Sequence, residues 1–432
     1  MSGRTLPHAY KLRGDLNDEV HARPPEPLSA PARITYLVTL CDRAQRDESA
    51  KMIADFARAF DAKPPARDGS HLRVDVGAFR LRWERHSEFV RYTFIVPDAA
   101  DGPDPFGATA LDAVPTEWVA ALPGELLVAA HVLLLPWANG PHEPPAIADT
   151  MFSGTLLVGS TVSEGAATAY TDFRIHQDRF SRFLVHDRST TRWQAGRIVQ
   201  RLLEIETYRM LALLALPVAR ALAPVLDEQE RELARITAAL VTAGEADEAA
   251  LLDRLTRLAA AIDSRNAETS FRFGAAAAYD ELVRRRIHEL REGRIHGVQT
   301  FHEFTERRLA PAMNTCRAIA ARQISLSERV ARATQLLSTR VDVTREQQTH
   351  ALLEQMNQRV KLQLRLQSTV EGLSVAAITY YVVSLIGHAA EGLEAVGIPL
   401  RPPVAMAVAI PVVAGLIALG MRRIHHMVAG LE

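Results

Sequence analysis

Cysteine is nearly absent from this 432-residue chain. Only Cys41 and Cys316 occur, which excludes a disulfide framework and a zinc site built from cysteines. Lysine is scarce as well: Lys11, Lys51, Lys63 and Lys361 are the only lysines among 50 basic residues. An excess of either charge is also missing. Fifty basic side chains face 51 acidic ones, for a net charge of −1, and that balance argues against a dedicated nucleic-acid binder. The opening stretch, MSGRTLPHAYKLRGDLNDEVHARPPEP, has no apolar segment and reads as lacking a signal peptide. No P-loop, dinucleotide-type GxGxxG, GxSxG or Cys–His pair is present, so no catalytic constellation and no cofactor are identified.

Proline is unevenly missing. Sixteen of the 23 prolines fall in the first 145 residues, whereas between Pro224 and Pro399 there is only Pro311. The proline-rich part holds short β-type runs bounded by turn residues: Ile34–Leu40, Leu72–Val76, Phe79–Trp83, Phe89–Val96, Leu126–Leu135, Thr155–Val162, Ala167–Ile175 and Arg182–Val185. Met52, Ile53, Phe56 and Phe60 recur at helical spacing, which predicts a helix over Asp42–Phe60. Residues 1–190 therefore read as an α+β domain. From Thr191 the period turns helical, with Gly244, Gly274 and Gly293 as expected breaks. Residues 191–368 read as a long-helix bundle and stalk. Ala312–Glu371 contains neither Pro nor Gly, and Leu353, Met356, Val360 and Leu364 form a coiled-coil seam suited to another helix.

The strongest signal lies near the carboxyl end. Thr369–His388 is apolar apart from Glu371 and His388, and Pro403–Met421 carries no charge. A membrane-spanning helix needs about 20 predominantly apolar residues, so both segments qualify. They read as transmembrane helices at 369–388 and 403–421, joined by a loop at 389–401 and followed by a tail at 422–432. Arg359, Lys361 and Arg365 precede the first, and Arg422 and Arg423 follow the second. The joining loop has Glu391 and Glu394 against Arg401. The positive-inside rule then places both termini in the cytoplasm and the loop outside, in a bacterial inner membrane. Met210–Leu226, which is interrupted by Arg220 and two prolines, reads instead as a buried core helix.

Ala405, Ala409, Ala414 and Ala418 offer close-approach surfaces between helices, and Tyr380 and Tyr381 carry hydroxyls into the apolar segment. Together with the seam they predict a homo-oligomer in a lipid bilayer. Glu371 reads either as a functional intramembrane carboxylate or as an interfacial one beside Arg365. His288 and Glu292, then His302 and Glu306, stand in two His-Glu-x-x-Glu segments that fall short of the HExxH zinc motif. Fourteen residues apart, they would share one helical stripe, as candidates for a divalent cation or as a solvated face. Glu19, His21 and Arg23 open a proline-stiffened motif that is either a small polar site or a connector.

Glu19–Pro31 (EVHARPPEPLSAP) and Leu362–Leu385 (LQLRLQSTVEGLSVAAITYYVVSL) resemble an uncharacterised bacterial family described as predicted membrane-anchored proteins. The resemblance covers nearly the whole chain and implies no reaction, substrate or catalytic residue. In plan alone the chain is similar to CorA-type divalent-cation channels, which are pentamers. Those channels carry Gly-Met-Asn at the end of the first span, where this chain has Ile386-Gly387-His388. The function expected is an interaction or scaffold role at the membrane, with a CorA-like channel as the alternative and an enzyme third. The residues imply no particular protein partner.

Overall fold

Short apolar runs in the first half supply eight strands of a mixed nine-stranded sheet, which Gly293–Arg294 completes, in the order β2-β3-β4-β1-β5-β8-β7-β6-β9. The structure is a computed structural model that describes residues 8–14, 16–17, 24–65, 69–97, 105–242, 244–395, 397, 399 and 401–429. The strands are β1 (Ala32–Leu40), β2 (His71–Asp75), β3 (Arg80–Arg85), β4 (Phe89–Pro97), β5 (Glu125–Pro136), β6 (Val158–Val162), β7 (Ala167–Thr171), β8 (Ser181–Asp187) and β9 (Gly293–Arg294). Every pairing is antiparallel except β5 with β8.

The chain divides into two compact units, Met1–Thr242 with Asp253–Ala333, and Ala243–Leu252 with Thr334–Glu432. In the first, helix α1 (Arg43–Ala59) begins at a capping box in which Asp42 accepts from Gln45 N and the Gln45 side chain accepts from Asp42 N. Its Ile53 and Phe56 pack on Leu81, Trp83, Tyr92 and Phe94 of the sheet. Ser49 joins the two layers, hydrogen-bonding the Tyr92 hydroxyl at 2.7 Å and accepting from Trp83 Nε1 at 2.9 Å. Short helices α2 (Thr116–Ala120) and α3 (Pro144–Met151) follow. Around α3 a second cluster gathers Phe106, Leu133, Ile147, Phe152 and Leu184.

Successive side chains of a strand face opposite sides. Tyr36 and Arg91 consequently point away from α1 toward α4 (Arg192–Leu213), where the Tyr36 hydroxyl meets Thr207 Oγ1 at 2.9 Å. Helix α5 (Ala215–Thr242) follows α4 after Leu214. Along the expected core segment Met210–Leu226, Leu211, Ala215, Ala219, Leu222 and Leu226 are buried, while Arg220 and Pro217 remain exposed. That segment therefore buries one face and is not enclosed all round.

Helix α6 (Glu245–Leu290) runs through Gly274 without interruption, contrary to the break expected there. An interior glycine costs only about 1 kcal/mol against alanine, less than 46 residues of helix hydrogen bonding can absorb. Helices α7 (Phe301–Arg308), α8 (Ala310–Ala395) and α9 (Pro402–Ala429) complete the chain. The proline- and glycine-free stretch is helical as expected, and the same helix continues without a break through Gly372. In the second unit Arg340 of α8 pairs with the buried Glu248 of α6.

Candidate functional site

Among the described residues three helical stretches are long and apolar enough to cross a membrane, on length and composition: Arg192–Thr242, Ala310–Ala395 and Pro402–Met421. Their best windows have mean hydropathies of 1.7, 1.5 and 2.4, and 33%, 17% and 0% of each window is buried. The first shares its apolar residues with the sheet core. The last shares none of its window. Leu373, Leu385, Val408, Ile410, Leu416 and Leu419 all lie open on the two C-terminal stretches.

Where α8 and α9 meet, the contact is narrow and specific. Val383, Gly387 and Ala390 are the buried positions of α8 here, spaced by four and three residues along one face. A Cβ placed on Gly387 would come within 2.8 Å of Met406 Sδ, so glycine is what admits the methionine. On α9 the half-buried positions Ala405, Met406, Ala409, Val413, Ile417 and Met421 recur at helical spacing. Ala405 and Ala409 thus lie on this face, Ala414 is half-buried and Ala418 is exposed.

Tyr380 and Tyr381 are 72% and 68% exposed, their rings edge to face at 5.8 Å. Glu371 accepts from Gln367 Nε2 one turn earlier at 3.2 Å. His388 Nδ1 donates to Ser384 O at 2.7 Å. Glu391 and Glu394 are exposed in the last turns of α8.

The two His-Glu-x-x-Glu segments do not share a helical stripe. Helix α6 ends at Leu290, Arg291 turns the backbone at φ 51°, and the chain passes through β9 before α7 starts. Glu292 has become a helix cap: its two carboxylate oxygens accept from Phe301 N at 2.8 Å and His302 N at 3.1 Å, and Ser160 Oγ donates to it at 2.5 Å. Carboxylates suit that place because the first N–H groups of a helix lack internal partners. Glu306 pairs with Arg284 at 3.3 Å, while His288 and His302 are exposed. Among the described residues no group of three or more His, Cys, Asp or Glu side chains is placed to hold a metal ion.

Glu19, His21 and Arg23 lie outside the described residues, but the motif they open continues into a well-defined seat. Glu26 is buried and pairs with Arg80 at 2.8 Å and Arg73 at 3.1 Å, and Leu28 N donates to Arg192 O at 3.0 Å. Beside it, between the sheet and α4, lies a chain of buried charges that the sequence pattern did not disclose. Glu84 and Arg91 are direct cross-strand partners and form an ion pair, with side chains only 3% and 5% exposed. Arg91 also reaches Glu204 at 3.5 Å, and Glu204 pairs with Arg286. Burial alone would raise the Glu84 carboxyl, but Arg91 and Arg82 beside it hold it down at about 2. The cavity between these groups has a volume of about 40 Å³, room for water and not for a substrate. One signal could have disclosed the pair: Arg91 interrupts the non-α1 face of β4 between Phe89 and Ile95, and the same face of β3 is wholly charged, with Arg80, Arg82 and Glu84.

A family model described as "Protein of unknown function (DUF3422)" matches residues 8–428. The chain belongs to this family. The expected resemblance to an uncharacterised family is thereby shown, without the membrane-anchored description or the likeness to CorA-type channels. No curated protein and no solved structure matches the chain.

Proposed function

We propose that this DUF3422 member is a membrane-anchored protein whose C-terminal part of α8 and whose α9 cross the bilayer as a hairpin. The observation that carries the reading is α9: its Pro402–Met421 window has a mean hydropathy of 2.4 and no buried part. In water, so large an open apolar surface would drive aggregation; in lipid it is matched. The flanking Arg359, Lys361, Arg365, Arg422 and Arg423, against Glu391 and Glu394 in the turn, support cytoplasmic termini in a plasma membrane.

The reading includes self-association. No residue of α8 from Thr344 to Val370 is buried, and Leu353, Met356, Val360 and Leu364 are 52–63% exposed. An isolated helix gains little in water, and most helical stability comes from packing an apolar face. A coiled coil with a second copy would cover that seam. The biochemical role that fits is a scaffold at the membrane surface. A CorA-like pore would require polar groups of the first span on a shared axis; Gly387, at the place of the filter motif, is instead occupied by Met406.

Cysteine labelling of the full chain tests the anchor. The native cysteines are both buried. Probes at Glu394→Cys and Glu432→Cys in intact cells should react from opposite sides, the first from outside. Reaction of both from the cytoplasm, or release of the protein by carbonate washing, overturns the hairpin.

A further inference from the structure

Helices α6 and α8 diverge within the first unit and leave a groove of about 460 Å³. That is within the size range of small-molecule sites, about 300–1,000 Å³. Its walls are apolar, with Phe273 and Ala276 from α6, and Met313, Cys316 and Ala320 from α8. Gly274 also lies on it, and a Cβ there would meet nothing within 4 Å. The glycine is therefore not required by any close approach of the chain to itself, and it widens the space.

Two buried polar side chains line the same groove. Asp280 is 7% exposed, and its Oδ1 has no hydrogen-bond partner among the described residues. Its other oxygen faces Arg284 Nε at 3.4 Å and, more loosely, Arg317 at 3.9 Å, while Arg284 is shared with Glu306 at 3.3 Å. Gln323 is 2% exposed, and its amide is placed with Nε2 unpartnered and Oε1 at 3.3 Å from Thr269 Oγ1, a hydroxyl that also stands 2.8 Å from Arg265 O. A hydroxyl has one hydrogen, and the carbonyl takes it at the shorter distance. Thr269 can then only accept from Gln323, so the amide turns its NH2 to Thr269 and its oxygen is the unpartnered atom.

The groove thus presents two unsatisfied acceptors, a carboxylate oxygen and an amide oxygen, beneath an apolar wall. Leaving such groups unmet costs about 1–3 kcal/mol each, more for a charge. The chemistry that completes both is a cationic donor. With Glu281 at the rim and Glu306 on Arg284, acidic groups outnumber the two arginines, which also favours a cation.

We propose that this groove binds a small molecule made of an apolar body and a protonated amine, the amine donating to Asp280 and Gln323 and the body lying over Phe273 and Met313. The site is independent of the membrane reading, because all its residues belong to the sheet-containing unit.

Fluorine NMR on the full-length protein in lipid nanodiscs tests it, with empty nanodiscs subtracted. Three probes differ only in the head group: 4-fluorophenethylamine, 4-fluorophenethyl alcohol and 4-fluorophenylacetate. The amine should bind saturably and at least tenfold more tightly than the alcohol, and the carboxylate should not bind. Asp280→Asn should lose the tenfold preference while alcohol binding and the melting temperature stay within error. Gly274→Leu should block amine and alcohol alike. An amine bound no better than the alcohol, an amine affinity unchanged by Asp280→Asn, or preferred binding of the carboxylate overturns the assignment. So does absence of saturable binding by all three.

Discussion

The carbonyl oxygen of Glu26 occupies the place where a side chain on Gly196 would begin: a Cβ built there stands 1.8 Å from it. Helix α4 can receive the Pro24–Ala30 segment only because residue 196 has no side chain. Glu26 then reaches Arg80, and Leu28 reaches Arg192. Gly196→Ala should therefore destabilise the first unit by about 3 kcal/mol, as overpacking against rigid backbone does. Alanine favours helix over glycine by about 1 kcal/mol, so a neutral or stabilising result in urea melts would disprove the close approach.

Removing one member of the buried charge chain should cost more than removing the chain. Arg91→Met leaves Glu84 with Arg82 alone and Glu204 with Arg286 alone, both carboxylates nearly sealed from water, and should destabilise by about 3 kcal/mol. Adding Glu84→Gln and Glu204→Gln to that variant should recover part of the loss. Equilibrium unfolding of the single and triple variants checks this. Equal stability of the two would mean that the charges do not depend on one another.

Much of the sheet was readable from local pattern because its strands are short apolar runs bounded by turn residues: the runs at Ile34–Leu40 and Phe89–Val96 became β1 and β4 nearly unchanged. The run at Thr155 started three residues too early, since Leu156 is 90% exposed and Thr155 bonds Asp172 ahead of β6. The pairing of the buried charges was illegible for a different reason. Glu84 meets Arg91 only through the β3–β4 register, and Glu204 joins them from over 100 residues away. The His-Glu-x-x-Glu stripe failed because Glu292 is worth more to the chain as a cap than as another residue of helix.

That capping role gives its own expectation. Glu292→Ala should cost about 1–2 kcal/mol, at the upper end for a lost N-terminal cap because three donors lose their acceptor. Zinc or magnesium should shift the melting temperature of wild type and variant by the same amount. A shift confined to wild type would restore the metal reading.

Two histidines set the acid response. Burial pushes His131 and His186 down to about 4. In the unfolded chain each titrates near ~6.5, so the unfolded state takes up protons first. Their stabilisation is complete above about pH 6.5 and falls as the pH drops to about 4, by roughly 3 kcal/mol each. Glu84, held at about 2, adds a further loss from about pH 4.3 downward. His186 has no hydrogen bond at either ring nitrogen among the described residues and packs edge-on against Trp137. His186→Phe should keep stability at pH 7.5 and flatten the decline between pH 6.5 and 4.5. Thermal melts across that range decide it, and an unchanged slope would refute the buried neutral imidazole.

The proposed membrane hairpin rests on the contact of Gly387 with Met406. Any side chain at 387 meets Met406, whose Sδ, Cε and Cγ all lie within 3.2 Å of the place a Cβ would take, so Gly387→Leu must push α8 and α9 apart. Small residues at such crossings let helix backbones pack closely, which in lipid is the main source of association. The Leu variant should therefore lose the intramolecular crosslink between cysteines at Val383 and Ala409. Met406→Ala combined with Gly387→Leu should recover it, because the smaller side chain vacates the space that the leucine takes. Tyr381→Phe serves as the contrast: its ring is 68% exposed and off the contact face, so the crosslink should persist. Any effect of that variant should fall on association between copies, and by little, since membrane hydrogen bonds average about 0.6 kcal/mol. A crosslink that survives Gly387→Leu would show that the two helices do not meet at this residue.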